Sequence, residues 1–288
     1  AEVVREPAPI LLLIATRPLS ESATPTQQAL LARAGTLRLA LPPISTNDCA
    51  ALLRDRLRAV ELPPGLTEFV HERSGGNPLY AEQLLLGLLD SGHLKASGSG
   101  HTLRVAVSEL DRLTAPATLE GVVIARLDLL PPSKLLTLKV ASALGSSFTV
   151  DTLAAVHPVT ADPRVIDAQL SQLCWRGLIS QEPGAAGRYA FRHGVLQQIT
   201  YGLLSFDQRR ALHRAIATHL ESSGAAATSD LATLAQHWAA AGEPLQAAAC
   251  LERAARQALD RLALEEAVRL LDAAQVYALA PPDSRRAR

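Results

Sequence analysis

The sequence predicts a mainly α-helical chain that opens on the tail of an α/β sheet and is interrupted by small hairpins. Three observations predict this. An unbroken apolar run, Ile10–Ala15, stops at Thr16-Arg17-Pro18, as a strand covered on both faces does in a parallel sheet. From Ser45 onward the apolar residues recur three and four positions apart, which places them on one face of a helix. Between two helical stretches, Leu178–Gln181 and Arg188–Phe191 flank Gly184-Ala185-Ala186-Gly187, a turn between two short strands.

Taken in order, the first strand is followed by a helix at Gln27–Ala34 and by Thr36–Leu41, which alternates as a second strand before Pro42-Pro43. Strand, helix, strand is the grammar of an α/β layer, and two strands do not make such a domain alone. Ser45 or Thr46 then caps a helix carrying Cys49, Leu52, Leu53, Leu57 and Val60, stopped at Pro63-Pro64. A short helix, Leu66–Arg73, ends at Gly75-Gly76, and Asn77-Pro78 opens a third with Leu79, Leu84, Leu85, Leu88 and Leu89. Proline is favourable there because its missing N–H has no helical partner in the first turn. The loop Ala96–Gly100 is flanked by segments short enough to pair as a hairpin.

Helices follow at Pro116–Leu130, Ser133–Leu144, Val150–Val156 and Pro163–Arg176, and then the Gly184–Gly187 hairpin. Three helices followed by such a hairpin make a winged helix. Beyond Gly194 the chain reads as helices at Val195–Leu204, Gln208–Glu221, Asp230–Ala241, Leu245–Arg261 and Leu264–Leu279. Ala247, Leu251 and Ala254 recur twenty residues on as Ala267, Leu271 and Ala274. Small residues at such spacing let helices approach closely, as in tetratricopeptide-type repeats, whose usual period is about thirty-four. A degenerate repeat and an ordinary helical bundle both fit.

Composition narrows the function classes. The 288 residues are 48% hydrophobic, with 28 basic and 28 acidic side chains, which excludes global disorder and nucleic-acid binding by bulk charge. Only Lys95, Lys134 and Lys139 are lysines, so the basic residues are nearly all arginine, and they are dispersed. Cys49, Cys174 and Cys250 are too far apart for metal or redox spacing, and they read as buried free thiols in a reducing cytoplasm. No apolar run approaches bilayer length and the start lacks a secretory pattern, so no membrane is expected. Methionine is absent, and the chain reads as a piece of a longer protein.

Catalytic motifs return blanks: no Gly-x-x-x-x-Gly-Lys-Ser/Thr, His-Glu-x-x-His, Gly-x-Ser-x-Gly or Cys-x-x-Cys occurs. His213 and His219 fall on different faces of one helix, so no metal site is expected. Three local features remain. Arg17 stands beyond the end of a buried strand, where a cation either meets a ligand phosphate or is a solvated loop residue. Gly76-Asn77-Pro78 opens a helix whose free N–H groups either face an anion or simply cap a turn. His193 either hydrogen-bonds a phosphate or packs at a helix start. Arg209, Arg210 and Arg214 read as a solvated basic face.

The ordered set of motifs resembles a known family. Leu11–Pro18 (LLLIATRP), Ser74–Leu84 (SGGNPLYAEQL), Pro116–Leu130 (PATLEGVVIARLDLL), Tyr189–Leu204 (YAFRHGVLQQITYGLL) and Arg210–Leu220 (RALHRAIATHL) are similar to the C-terminal part of STAND-type signalling ATPases. These are the modules attached to bacterial nucleotide cyclases or kinases, with large LuxR-type regulators as near relatives. The resemblance implies a remnant of a P-loop α/β core at 1–43, a helical lid at 44–100, a winged helix at 101–207 and the start of tetratricopeptide-like repeats at 208–288. It implies that Arg17 reads the terminal phosphate, that the proline of Gly76-Asn77-Pro78 packs on adenine, and that His193 contacts the β-phosphate of ADP. There Arg192 and Gly194 stand where the family has Met and Asp. The phosphate-cradling loop and the magnesium-binding strand would precede Ala1, so these residues alone are not expected to be catalytic or to hold ATP/ADP and Mg tightly. The implied partners are an upstream core and an output domain in the same chain, with further proteins on the repeats.

A DNA-binding role for the winged helix is the alternative. Its third helix offers only Arg164 and Arg176 against Asp167, too little charge for phosphate contact, so nucleic acid is not the expected partner. A helical scaffold without nucleotide is the other alternative.

Overall fold

The structure is a computed structural model that describes residues 13–16, 24, 28–29, 32–33, 36–59, 61–97, 104–107, 116–159, 162–223 and 231–279. It divides into two units, 1–42 and 43–288.

In the first unit, residues 28, 29 and 32 are helical, within the expected Gln27–Ala34 helix. The two expected strands do not form among the described residues: 13–16 and 36–42 have no regular secondary structure, and residues 10–12 and Arg17 lie outside the described set. The alternation of Leu37, Leu39 and Leu41 is real, yet the three are 81%, 76% and 94% exposed. Alternation becomes a strand only where a neighbouring ladder and a covering core receive it.

The second unit is mainly helical. Helices α1 (Thr46–Leu57), α2 (Leu66–Ser74) and α3 (Pro78–Asp90) close on a first core of Cys49, Leu53, Leu57, Leu66, Val70, Leu84 and Leu85. Ser45 forms a capping box with Asp48 at the start of α1. The α2–α3 turn needs its second glycine. Gly76 has φ +71°, and a Cβ there would lie 2.7 Å from the Pro43 Cβ and 2.8 Å from the Ile44 carbonyl oxygen. Its carbonyl accepts from the Ile44 N–H at 2.9 Å. Strands β1 (Leu94–Ser97) and β2 (Arg104–Val107) pair antiparallel, Leu94 opposite Val107, as the expected hairpin.

Next come α4 (Leu119–Asp128), α5 (Pro132–Leu144), β3 (Ser147–Thr149), α6 (Val150–Val156), α7 (Pro163–Trp175), β4 (Ile179–Gln181), β5 (Arg188–Phe191) and α8 (Gly194–Gly202). The expected two-stranded hairpin is β4–β5, and β3 extends it to an antiparallel sheet of order β3-β5-β4. A second core beneath it holds Leu127, Leu138, Phe148, Leu153, Ile166, Leu170, Leu173, Tyr189, Phe191 and Leu196. Helix α4 belongs to both cores: Val122 faces the first, Val123 and Leu127 the second.

Helices α9 (Phe206–Ser222), α10 (Leu231–Ala240), α11 (Pro244–Asp260) and α12 (Leu264–Ala278) complete the unit around a third core rich in small residues, including Ala235, Ala247, Cys250, Ala254 and Ala274. The twenty-residue offset is the step from α11 to α12. Ala247, Ala254, Ala267 and Ala274 are all buried, whereas Leu251 is buried and Leu271 exposed. The arginines of α9 are not a free solvated face. Arg209 donates to the Gly202 carbonyl, Arg210 to the Ala241 carbonyl, and Arg214 pairs with Glu243. Among the described residues, no helix is long and apolar enough to cross a membrane, and no group of three or more His, Cys, Asp or Glu is placed to hold a metal ion.

Candidate functional site

The candidate site is built on α3, which the glycine turn and Asn77 position. The Asn77 side chain accepts the Tyr80 N–H at 3.1 Å, and Pro78 occupies the first helical turn. Asn77 and Pro78 are exposed, and Gly76 is buried under Pro43 and Ile44. Four residues on from Pro78, hence on the same face, lies Glu82.

Glu82 is buried, with a side chain 9% exposed, and three groups from two other places in the chain converge on it. Arg56, from the last turn of α1, pairs with Oε1 through Nη2. Arg192 brings its Nε to 4.0 Å from the same oxygen, and His193 brings Nε2 to 3.5 Å from Oε2. Arg192 and His193 sit at the β5–α8 corner, where His193 is the residue before the helix but makes no side-chain capping bond. Its imidazole is held below the usual histidine range by burial, then by Arg192 and Arg56. The ring is therefore neutral near pH 7, and its approach to Glu82 is not an ion pair. His193 Nε2 is also buried without a hydrogen-bond partner among the described residues.

A second polar cluster continues along α3. Arg126 of α4 is 1% exposed. Its Nε donates to Asp90 Oδ2 at 2.8 Å, its Nη1 to the Gln83 side-chain carbonyl, and its Nη2 to the Arg176 carbonyl at 2.6 Å. Arg176 returns to Asp90 at 3.5 Å. Burial lowers the Arg126 pKa and Asp90 raises it again; an arginine starts so far above neutrality that it keeps its charge. Helix α3 is thus bound through Glu82, Gln83 and Asp90 to α1, to α4, to the end of α7 and to the β5–α8 corner.

Of the residues singled out in the sequence, the structure brings His193 to α3, one turn from Pro78, and leaves Asn77 as a cap. Arg17 lies outside the described residues. Sequence reasoning missed Glu82, Arg56, Arg192 as a partner, and the Arg126 cluster. Only Arg126 carried a signal: a charge in an otherwise apolar helical register between Val122, Val123 and Leu129.

One further pair stands apart. His213 Nδ1 lies 2.8 Å from His237 Nδ1, and His213 Nε2 lies 2.8 Å from the Tyr201 hydroxyl. Burial, His237 and Arg209 together pull His213 down to about 4.

No protein-family profile matches the chain, and no solved structure matches it. An uncharacterized protein of Rhizobium meliloti (strain 1021) is 26% identical over 269 residues, covering 92% of this chain and 24% of that protein. The chain therefore spans about a quarter of the length of that relative.

Proposed function

We propose that the chain is part of an ATP/ADP-dependent signalling switch of the STAND type, cytoplasmic, with α1–α3 as a helical lid and α5–α8 as a winged helix used for internal packing. The observation that carries this is the meeting of His193 with Glu82, one helical turn beyond Pro78. It couples the helix that the Gly76-Asn77-Pro78 turn opens to the corner where the resemblance puts a phosphate-reading histidine. The order helix, strand, helix, helix, strand, strand from α5 to β5 supports the winged helix, and the short turns and buried alanines of α10–α12 support tetratricopeptide-like repeats.

The donors present suit a phosphate: two guanidinium groups and an imidazole nitrogen without a hydrogen bond converge there. In this reading Pro78 packs against the base and His193 holds a β-phosphate oxygen, so that ADP favours the closed arrangement of α3 against the β5–α8 corner. Such a ligand shifts the balance only by its difference in affinity for the two arrangements. The test is His193→Ala in the full-length protein, with retained ADP measured after gel filtration. We expect the variant to emerge depleted of ADP; retention equal to the parent removes His193 from the site.

A further inference from the structure

We propose that Glu82 is an internal counter-ion standing where an anionic ligand group binds, so that a phosphate or pyrophosphate enters the Arg56–Arg192–His193 cluster by displacing the Glu82 carboxylate. This deepens the reading above and rests on it only for the identity of the natural ligand.

Charge and hydrogen-bond supply both point to it. Two guanidinium groups face one carboxylate, and the Arg56 pKa is lowered by burial first and then by the neighbouring Arg192. Of the three donors only Arg56 makes a hydrogen bond to Glu82. Arg192 stops at 4.0 Å, and His193 Nε2 is aimed at the second oxygen without bonding it. One carboxylate on a helix bonds the first donor, holds the second at ion-pair distance and leaves His193 Nε2 without a hydrogen-bond partner among the described residues. A phosphate group has three oxygens and the charge to take all of them. The cluster is reachable through its arginines, with the Arg56 and Arg192 side chains 24% and 36% exposed, while Glu82 and the inward-turned His193 Nε2 are its buried members.

Displacement has a mechanical consequence. Glu82 belongs to α3 and ties it to α1 and to the β5–α8 corner. When an anion takes over the cations, the direct Glu82 ties are exchanged for ligand contacts. A ligand that also touches α3, as ADP does through Pro78 in this reading, keeps the closed arrangement. Pyrophosphate alone leaves α3 held by the Arg126 cluster and by the Tyr80 hydroxyl on the Pro116 carbonyl. The anion and the carboxylate compete for the same positive groups, so ligand occupancy and the attachment of α3 are linked.

The experiment is calorimetric titration of the 288-residue chain with sodium pyrophosphate, ADP and adenosine, comparing the parent with Glu82→Gln and with Glu82→Gln/Arg192→Gln. Removing the competing charge is expected to tighten pyrophosphate by about tenfold or more, and the second substitution to reverse the gain. Pyrophosphate binding unchanged or weakened by Glu82→Gln overturns the proposal, whatever the His193→Ala variant does with ADP. A gain for pyrophosphate upholds the anion site whether or not ADP is preferred over it; the nucleotide reading is decided separately, by ADP retention of His193→Ala in the full-length protein. Should Glu82→Gln fail to fold, Glu82→Asp withdraws the carboxylate by one methylene. It is expected to show a smaller gain in the same direction, and no gain overturns the proposal equally.

Discussion

A buried histidine pair makes stability depend on pH in a direction that the geometry sets. His213 and His237 oppose their Nδ1 atoms at 2.8 Å, so at most one of the two carries a proton there. Tyr201 faces the other nitrogen of His213, and Arg209 lies over the Tyr201 ring. The folded pKa of His213 is about 4, against 6.5 for the free side chain, so the unfolded chain binds the proton first. The stabilisation is present in full above pH 6.5 and is lost as pH falls towards 4. For a shift of this size it amounts to on the order of 3 kcal/mol, and His237, lowered by its own burial, adds in the same direction. Urea midpoints of the parent are expected to fall between pH 7 and pH 4, and His213→Gln to show a flatter profile; parallel profiles would show that His213 does not contribute. Nothing in the sequence announces the pair, because its members are 24 positions apart on different helices. The same holds for Arg56 and Glu82, 26 apart. Arg126 was partly legible, since a charge in an apolar register needs a buried partner to be tolerated.

At the scale of elements, the helices were legible because burial follows the 3.6-residue period and the proline and glycine punctuation marks their ends. Pro78, Pro132, Pro163 and Pro244 each lie in the first turn of a helix. Strand β3 was not legible, since three residues, Ser-Phe-Thr, are too few for alternation to register; its pairing with β5 comes from tertiary packing of Phe148 against Tyr189 and Phe191. Thr36–Leu41 failed in the opposite sense, having the alternation without a covered face. The α2–α3 turn separates local from tertiary demand within two residues. Gly75 and Gly76 both have positive φ, but a Cβ on Gly75 meets open space while one on Gly76 meets backbone and Pro43. Gly75→Ala is expected to cost about 1–2 kcal/mol for the left-handed conformation alone. Gly76→Ala adds overpacking and is expected to reach about 2–5 kcal/mol, read as the shift in urea midpoint. Equal costs at the two positions would mean that the turn relaxes away from Ile44.

At the scale of the whole second unit, the first two cores are expected to unfold together, and the question is what couples them. Their apolar bridge is α4: Leu119 packs against both, Val122 serves the first, and Val123 and Leu127 the second. The polar seam along α3 supplies the rest, and Arg126 is its centre because one guanidinium reaches Gln83 and Asp90 on α3 and the carbonyl that ends α7. Removing one member of a buried pair costs about 3–5 kcal/mol, since the partner keeps its desolvation without its compensation. Arg126→Ala is expected to lose that amount and also to lose cooperativity, because α3 then stays attached to the second core chiefly through the partly exposed Glu82 cluster. The measurement is urea unfolding followed by far-ultraviolet dichroism and by Tyr and Trp fluorescence. Coincident curves in the parent and separated curves in the variant are the expected result. Arg126→Met distinguishes charge from volume: it restores packing along α4 but leaves Asp90 with Arg176 alone, so it should recover part of the stability and none of the coupling. Coincident transitions in both variants would assign the coupling of the two cores to the apolar face of α4 instead, and would make α3 free to move only together with the helices beneath it.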